Sequence, residues 1–140
     1  MKKDITYIIQ KELGKLTTKK FSKNYICNYI LPIINYIVKT NDNKFIISGS
    51  QGVGKSTLSK LIKIVIEKLS SKNVMLLSID DYYLSKIDRL RISQKVHPLL
   101  ITRGVPGTHD IKKLKEHLGQ FKKQQFPILT PTFNKLKDDI

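Results

Sequence analysis

Gly49-Ser50-Gln51-Gly52-Val53-Gly54-Lys55-Ser56-Thr57 is the stretch on which the fold turns. Gly49, Gly54, Lys55 and Ser56 occupy the defining positions of the phosphate-binding loop pattern G-x-x-x-x-G-K-[ST]. Apolar Phe45-Ile46-Ile47 leads in and a helical pattern from Leu58 to Leu69 leads out, so the loop sits in a strand–loop–helix frame. The chemistry needs that frame. Gly49, Gly52 and Gly54 can take backbone angles closed to other residues, so that successive N–H groups, those of Ser50, Gln51 and Val53 among them, can turn inward around an anion. A helix starting near Lys55 adds its unpaired N–H groups and the positive end of its dipole. Lys55 is then expected to bridge the β- and γ-phosphates of ATP, Ser56 to ligate Mg²⁺, and Thr57 to hydrogen-bond the α-phosphate. The opposing reading, a glycine-rich turn that binds nothing, leaves the strand–helix context without a reason.

Working outward, Lys44 to Ser48 reads as a short strand. Leu58, Leu61, Ile62, Val65, Ile66 and Leu69 form a helical stripe broad enough to pack on a sheet. Ser70-Ser71-Lys72-Asn73 breaks the helix. Val74-Met75-Leu76-Leu77-Ser78-Ile79 is then a continuous apolar run ending at Asp80-Asp81, the pattern of a buried parallel strand. Strand, helix and strand make a βαβ unit whose crossover is expected to be right-handed. The expectation is an α/β fold of the P-loop type, a parallel sheet flanked by helices.

Upstream, Ile5, Ile8, Ile9 and Leu13 have helical spacing over 4–13, with Gly14 as a stop. Ser22 is placed to cap a longer helix to about Lys39, kinked or divided at Pro32. Asn41-Asp42-Asn43 reads as a turn. Downstream, 85–96 is expected to be helical and 98–107 a loop. Asp110 is a candidate cap for a helix from Ile111 to about Lys122, and 126–133 is an extended segment. The organisation expected is an N-terminal helical segment, 1–43, packed on a P-loop core, 44–140.

Composition narrows the function classes. The 140 residues carry 26 Lys and Arg against 11 Asp and Glu, a net charge of +15. The lysines are scattered along the whole chain, which reads as compositional bias and a solvated surface rather than a nucleic-acid face. No run of eighteen apolar residues exists, so no transmembrane helix is expected. The opening Met1-Lys2-Lys3-Asp4 leads into mixed sequence, not a signal-peptide core, and the cytoplasm is the default location. The single cysteine, Cys27, has no internal disulfide partner and lies in an apolar helical pattern, as a small core residue would. His97 reads as a loop residue and His117, on a Lys-rich helix, as solvated.

In an open α/β sheet, ligands sit at the carboxyl ends of the strands. Asp80 and Asp81 end the second apolar run, where a carboxylate either accepts a proton from an attacking hydroxyl or holds Mg²⁺; capping the next turn is the plainer alternative. The wider text carries more. Ser78-Ile79-Asp80-Asp81-Tyr82-Tyr83-Leu84, followed by Arg103-Gly104-Val105-Pro106-Gly107-Thr108-His109-Asp110 and by Pro131-Thr132-Phe133-Asn134-Lys135, resembles the glycerate kinase branch of P-loop small-molecule kinases. That branch is related to pantothenate kinase, uridine kinase and phosphoribulokinase, and the resemblance spans roughly residues 20 to 138. It implies a P-loop kinase that uses ATP and Mg²⁺ to phosphorylate a hydroxyl of a small acceptor such as D-glycerate. Residue by residue, it implies catalytic roles for Lys55 and Asp80, with Asp80 as general base, and a metal site at Ser56 and Asp80. Tyr82, Tyr83, Arg103, His109 and Lys135 would line the acceptor site, the cations facing an anionic acceptor.

The chain departs from that pattern in two ways. Asn134 stands where the family writes an aspartate. The family also continues past this length to another buried strand and an arginine-bearing lid, which help to hold Mg²⁺ and to stabilise the transferred charge. The expectation is therefore an incomplete sheet with an edge open to self-association or to a complementing C-terminal fragment. Against the kinase stand two other readings: a nucleotide-binding remnant or subunit without catalysis, and, from charge alone, a nucleic-acid-linked ATPase whose binding would weaken with salt.

Overall fold

A computed structural model describes residues 2–140; Met1, the first residue of the expected 1–43 segment, lies outside them. The chain divides into two compact units, one ending at Leu76 and the other running over Leu77–Ile140.

The first unit is helical. α1 covers Lys2–Leu16. α2, Lys23–Tyr25, is capped by Ser22, whose hydroxyl accepts from the Tyr25 N–H at 3.1 Å. A π-helical stretch, Ile26–Ile30, and then α3, Leu31–Lys39, continue it. α4 is Lys55–Leu69. The expected stop at Gly14 does not occur. A mid-helix glycine costs only about 1 kcal/mol, and the further turn carries Leu16 onto the core. Pro32 divides the second helix as expected, and does so through a widened turn: just before it the Leu31 N–H reaches back to the Ile26 carbonyl. Proline has no N–H to continue the regular ladder.

One core joins these helices. Ile9, Leu13, Ile26, Ile30, Ile34, Leu61, Ile62, Val65 and Ile66 are buried together. The stripe on α4 is thus used as its spacing implies, but its partners are α1 and α3, not a sheet. The 43/44 boundary falls inside this unit, where helices on both sides of it share the core. Glu12 on α1 is buried and accepts from Lys68 of α4 at 2.6 Å and from Lys15 at 3.1 Å. Those two hydrogen bonds hold its carboxyl below the usual range. Cys27 is half-buried and unbonded.

The parallel sheet is where structure and expectation part. Neither 44–48 nor 74–79 forms a β-ladder among the described residues, although both are free of helix apart from Ile79. A strand exists only through a neighbour's hydrogen bonds. The 41–50 segment is exposed, Ile46 to 95%. The Val74 peptide is held by side chains of α4 instead: its N–H donates to Glu67 at 3.0 Å, and its carbonyl accepts from Lys63.

The second unit is built from short pieces. A 3₁₀ turn, Ile79–Tyr82, leads to α5, Lys86–Lys95, capped by Ser85. A second 3₁₀ turn, Pro98–Ile101, is capped by the ring of His97, which accepts from the Leu99 N–H. α6, Ile111–Lys122, starts at Asp110, whose carboxylate accepts from the Lys113 N–H at 2.9 Å. The chain closes with a tight turn bridged antiparallel between Asn134 and Asp139. His117 corrects the sequence reading. It is buried, and its Nδ1 lies 2.8 Å from the Tyr82 hydroxyl. Neighbouring lysines marked its helix as solvated, yet His117 falls on the face that packs on the 3₁₀ turn.

Candidate functional site

The phosphate loop of the first unit has the conformation its glycines permit. Gly54, at φ +88°, is the left-handed N-cap residue of α4, and a side chain there would be strained. At Gly49 a Cβ would stand 3.3 Å from a Val53 methyl, a tight contact that would shift that side chain by a few tenths of an ångström. The Lys55 ammonium donates to the Gly49 and Ser50 carbonyls, both at 2.8 Å, and draws the loop around itself. No acidic residue lies in the first turn of α4. The positive helix end, with the N–H groups of its first turn, therefore faces Gly52, Val53 and Gly54 without an internal counter-charge. Ser56 is exposed and Thr57 half-exposed at that end. An anion-binding cradle with one cation at its edge is what these features provide; they suit the triphosphate of ATP, with the Ser56 hydroxyl available to Mg²⁺.

In the second unit, three motifs far apart in sequence converge. An antiparallel bridge joins Tyr83 to His109; the Leu84 N–H donates to the Thr108 carbonyl at 2.9 Å and the Asp110 N–H to that of Tyr82 at 2.7 Å. Thr108, fully buried, donates from its hydroxyl to the Val105 carbonyl, which fixes the glycine-containing turn. The final motif is tied in by Asp81, which accepts from the Phe133 N–H at 3.3 Å, and by Lys135, whose ammonium reaches Asp80 at 2.7 Å.

Asp80 sits at the middle. Lys135 bonds one carboxylate oxygen, and the Tyr83 hydroxyl donates to the other at 3.3 Å. The Lys135 bond holds the Asp80 carboxyl below its ordinary range, and the same bond pushes the Lys135 ammonium up. Burial pushes the Tyr83 hydroxyl up, helped by the Asp80 charge; burial pulls His109 down, toward the neutral ring. The His109 ring lies on Tyr83, with centroids 4.4 Å apart. Tyr82 is turned away: it is buried, and its hydroxyl shares a hydrogen bond with His117. Of the six unit-two residues singled out in the sequence, Asp80, Tyr83, His109 and Lys135 form one contact network, which Arg103 joins through the Lys135 carbonyl at 3.0 Å. Asn134 serves its own turn, accepting from the Leu136 and Lys137 N–H groups, a task that aspartate performs equally well.

Sequence reasoning missed Arg89 and Asp138. Arg89 is 0% exposed and pairs with Asp138 at 2.7 Å; Arg103 pairs with the same carboxylate at 2.8 Å. Both guanidiniums lie over the Phe133 ring, 5.6 and 5.7 Å from its centroid. Burial pushes the Asp138 carboxyl up, but the bonds from Arg103 and Arg89 outweigh it and hold the group low. The signal available was scarcity: with 11 acidic residues among 26 basic ones, the adjacent Asp138-Asp139 pair is contested by cations.

No protein-family model matches the chain. Over 97 residues it is 38% identical to the probable ATP-dependent kinase TDA10 of Saccharomyces cerevisiae, a match covering 63% of this chain and 33% of that protein. It is 33% identical over 106 residues to the uncharacterized kinase mug58 of Schizosaccharomyces pombe, covering 73% and 38% respectively. Among solved structures, that of the YGR205w protein is similar with a TM-score of 0.57 and 33% identity, over 82% of this chain and 42% of that one. The chain thus spans between a third and two fifths of the length of the curated relatives it matches. The relatives' names support a kinase-like, ATP-using function, and the structural likeness agrees with a P-loop fold.

Proposed function

We propose that this chain carries the nucleotide-binding loop and the acceptor-binding residues of a small-molecule kinase, one that transfers the γ-phosphate of ATP to a hydroxyl of a carboxylate-bearing acceptor of the D-glycerate type. The observation that carries this reading is the convergence on Asp80 of three motifs otherwise scattered over more than fifty residues. The formed phosphate loop and the kinase relatives support its nucleotide half.

In this reading Lys55 and the backbone of 49–57 hold the phosphates, with the Ser56 hydroxyl as the Mg²⁺ contact. When bound, the metal neutralises charge on the transferring phosphoryl group. Asp80 is the proton acceptor for the attacking hydroxyl. Its low pKa keeps it ionised at neutral pH, and both its oxygens are engaged by donors, which favours proton acceptance over direct metal ligation. Tyr83 and His109 form an aromatic wall, while Tyr82 faces His117 instead. Arg103 and Lys135 supply positive charge for the acceptor's carboxylate.

The test is ADP release from Mg-ATP by the purified chain with D-glycerate, uridine or pantothenate offered separately. Release that depends on one acceptor and disappears in Lys55→Ala supports the kinase and names its substrate class. No release from a folded sample that binds ATP leaves nucleotide binding without catalysis. Turnover stimulated by RNA or DNA at low salt refutes the acceptor reading.

A further inference from the structure

We propose that Arg89 and Asp138 are positioning residues for an anionic acceptor: Arg89 anchors the Asp138 carboxylate, and Asp138 fixes Arg103 so that the remainder of its guanidinium fork is presented to a ligand carboxylate. This rests on the assignment of the Asp80 cluster to acceptor binding.

The clamp on Asp138 is unusually complete. Arg89 Nη2 donates to its Oδ2 at 2.7 Å and to its backbone carbonyl at 2.8 Å, and Nη1 reaches Oδ1 at 3.4 Å. Asp138 itself is held at φ +56°, in the left-handed region that few non-glycine residues occupy. Its Oδ1 then takes Arg103 Nη1 at 2.8 Å, and the same nitrogen donates to the Lys135 carbonyl. With Nη1 doubly tethered and the Phe133 ring against the guanidinium, Arg103 has little rotational freedom left. Its Nη2 and Nε make no hydrogen bond among the described residues. The Arg103 side chain is 35% exposed, whereas that of Arg89 is fully covered.

Fold stability alone is a poor reason for this arrangement. Only the Arg89 half of the pair is fully covered, Asp138 being 39% exposed, and even a fully buried ion pair is often replaced by apolar groups of similar volume at no loss of stability. Arg89 also keeps a buried Nε without any partner, and an unmade buried hydrogen bond is destabilising. A methionine would fill the space without that defect. What the methionine would lose is a rigid anion beneath Arg103. The two donors of Arg103 left over, Nε and Nη2, lie on one edge of a planar cation, an arrangement that matches the two oxygens of a carboxylate.

The experiment measures D-glycerate binding by the full chain, with glycerol as the carboxylate-free probe and Mg-ATP as a third titrant. The ¹⁵N guanidinium resonances report Arg103 mobility. Asp138→Asn should weaken D-glycerate about tenfold and free the Arg103 guanidinium, leaving Mg-ATP and glycerol binding unchanged. Because Asp138→Asn strands a buried charge and can unfold the unit, the double variant Arg89→Met with Asp138→Asn is measured beside it; it should fold and show the same selective loss. Unchanged D-glycerate affinity in a folded variant overturns the inference while sparing the acceptor reading. So does an Arg103 side chain already mobile in the wild type. Equal loss for all three probes overturns it as well, marking a purely structural pair. No D-glycerate binding by the folded wild type refutes the acceptor reading itself, and this inference with it.

Discussion

Residues 49–57 do their work with backbone, and the cluster around Asp80 does its work with side chains. The loop is contiguous, exposed and held by one lysine folded onto two of its own carbonyls. The cluster draws on residues near 80, 89, 103, 109 and 133–138, and its keystone is a fully buried arginine. A contiguous backbone site places few demands on the rest of the fold. A site assembled from remote side chains is also a structural element, so its residues should matter for stability before they matter for binding.

The largest effect that would sharpen this contrast is at Asp138. Asp138→Ala leaves Arg89 buried without its counter-charge, and should cost about 3 kcal/mol in urea unfolding. A loss below about 1 kcal/mol would break the comparison. The pH dependence should follow the same carboxylate. Its folded pKa is depressed, so the unfolded chain takes up the proton more readily. The stabilisation from the pair is therefore complete above the ordinary aspartate pKa of about 3.9 and disappears as pH falls through the lower folded value. Acid titration followed by circular dichroism should show this loss below about pH 4, and less of it in the double variant.

Lys55→Ala should show the reverse pattern. Unfolding should change by less than about 0.5 kcal/mol, since the side chain is only half-covered. Calorimetry should find Mg-ATP binding weakened at least about tenfold, the scale of a lost charge-assisted bond. A stability loss with normal ATP binding would put Lys55 among structural residues. The smallest effect is at Gly52, which lies at φ +82° with open space around its Cβ position. Gly52→Ala should cost only about 1 kcal/mol of backbone strain, read as a small shift in thermal midpoint.

The same contrast explains what could be read from sequence. Gly49 to Thr57 are legible because their spacing is the site. The caps at Ser22 and Asp110 were equally legible, since a cap acts within three residues. The stripe on α4 announced burial but not its partner: periodicity says which face is covered, and α1 and α3 cover it here in place of a sheet. Arg89 was illegible because nothing local marks one arginine as buried; its partner lies forty-nine residues away. His117 was misread for the same reason.

The π-helical stretch at Ile26–Ile30 sets a rule about chain length. Ile26, Ile30 and Ile34 stand four apart and are all buried. In an unbroken α-helix each step of four overshoots a full turn by about 40°. A wider turn absorbs the first overshoot and keeps the three isoleucines on one line. The stretch therefore acts as a one-residue phase correction. Deleting exposed Asn28 would close the wide turn to an ordinary one and leave the helix on either side in phase, whereas the same deletion within α3 would rotate its two sides by about 100°. Single-residue deletions are tolerated inside this stretch and not beside it.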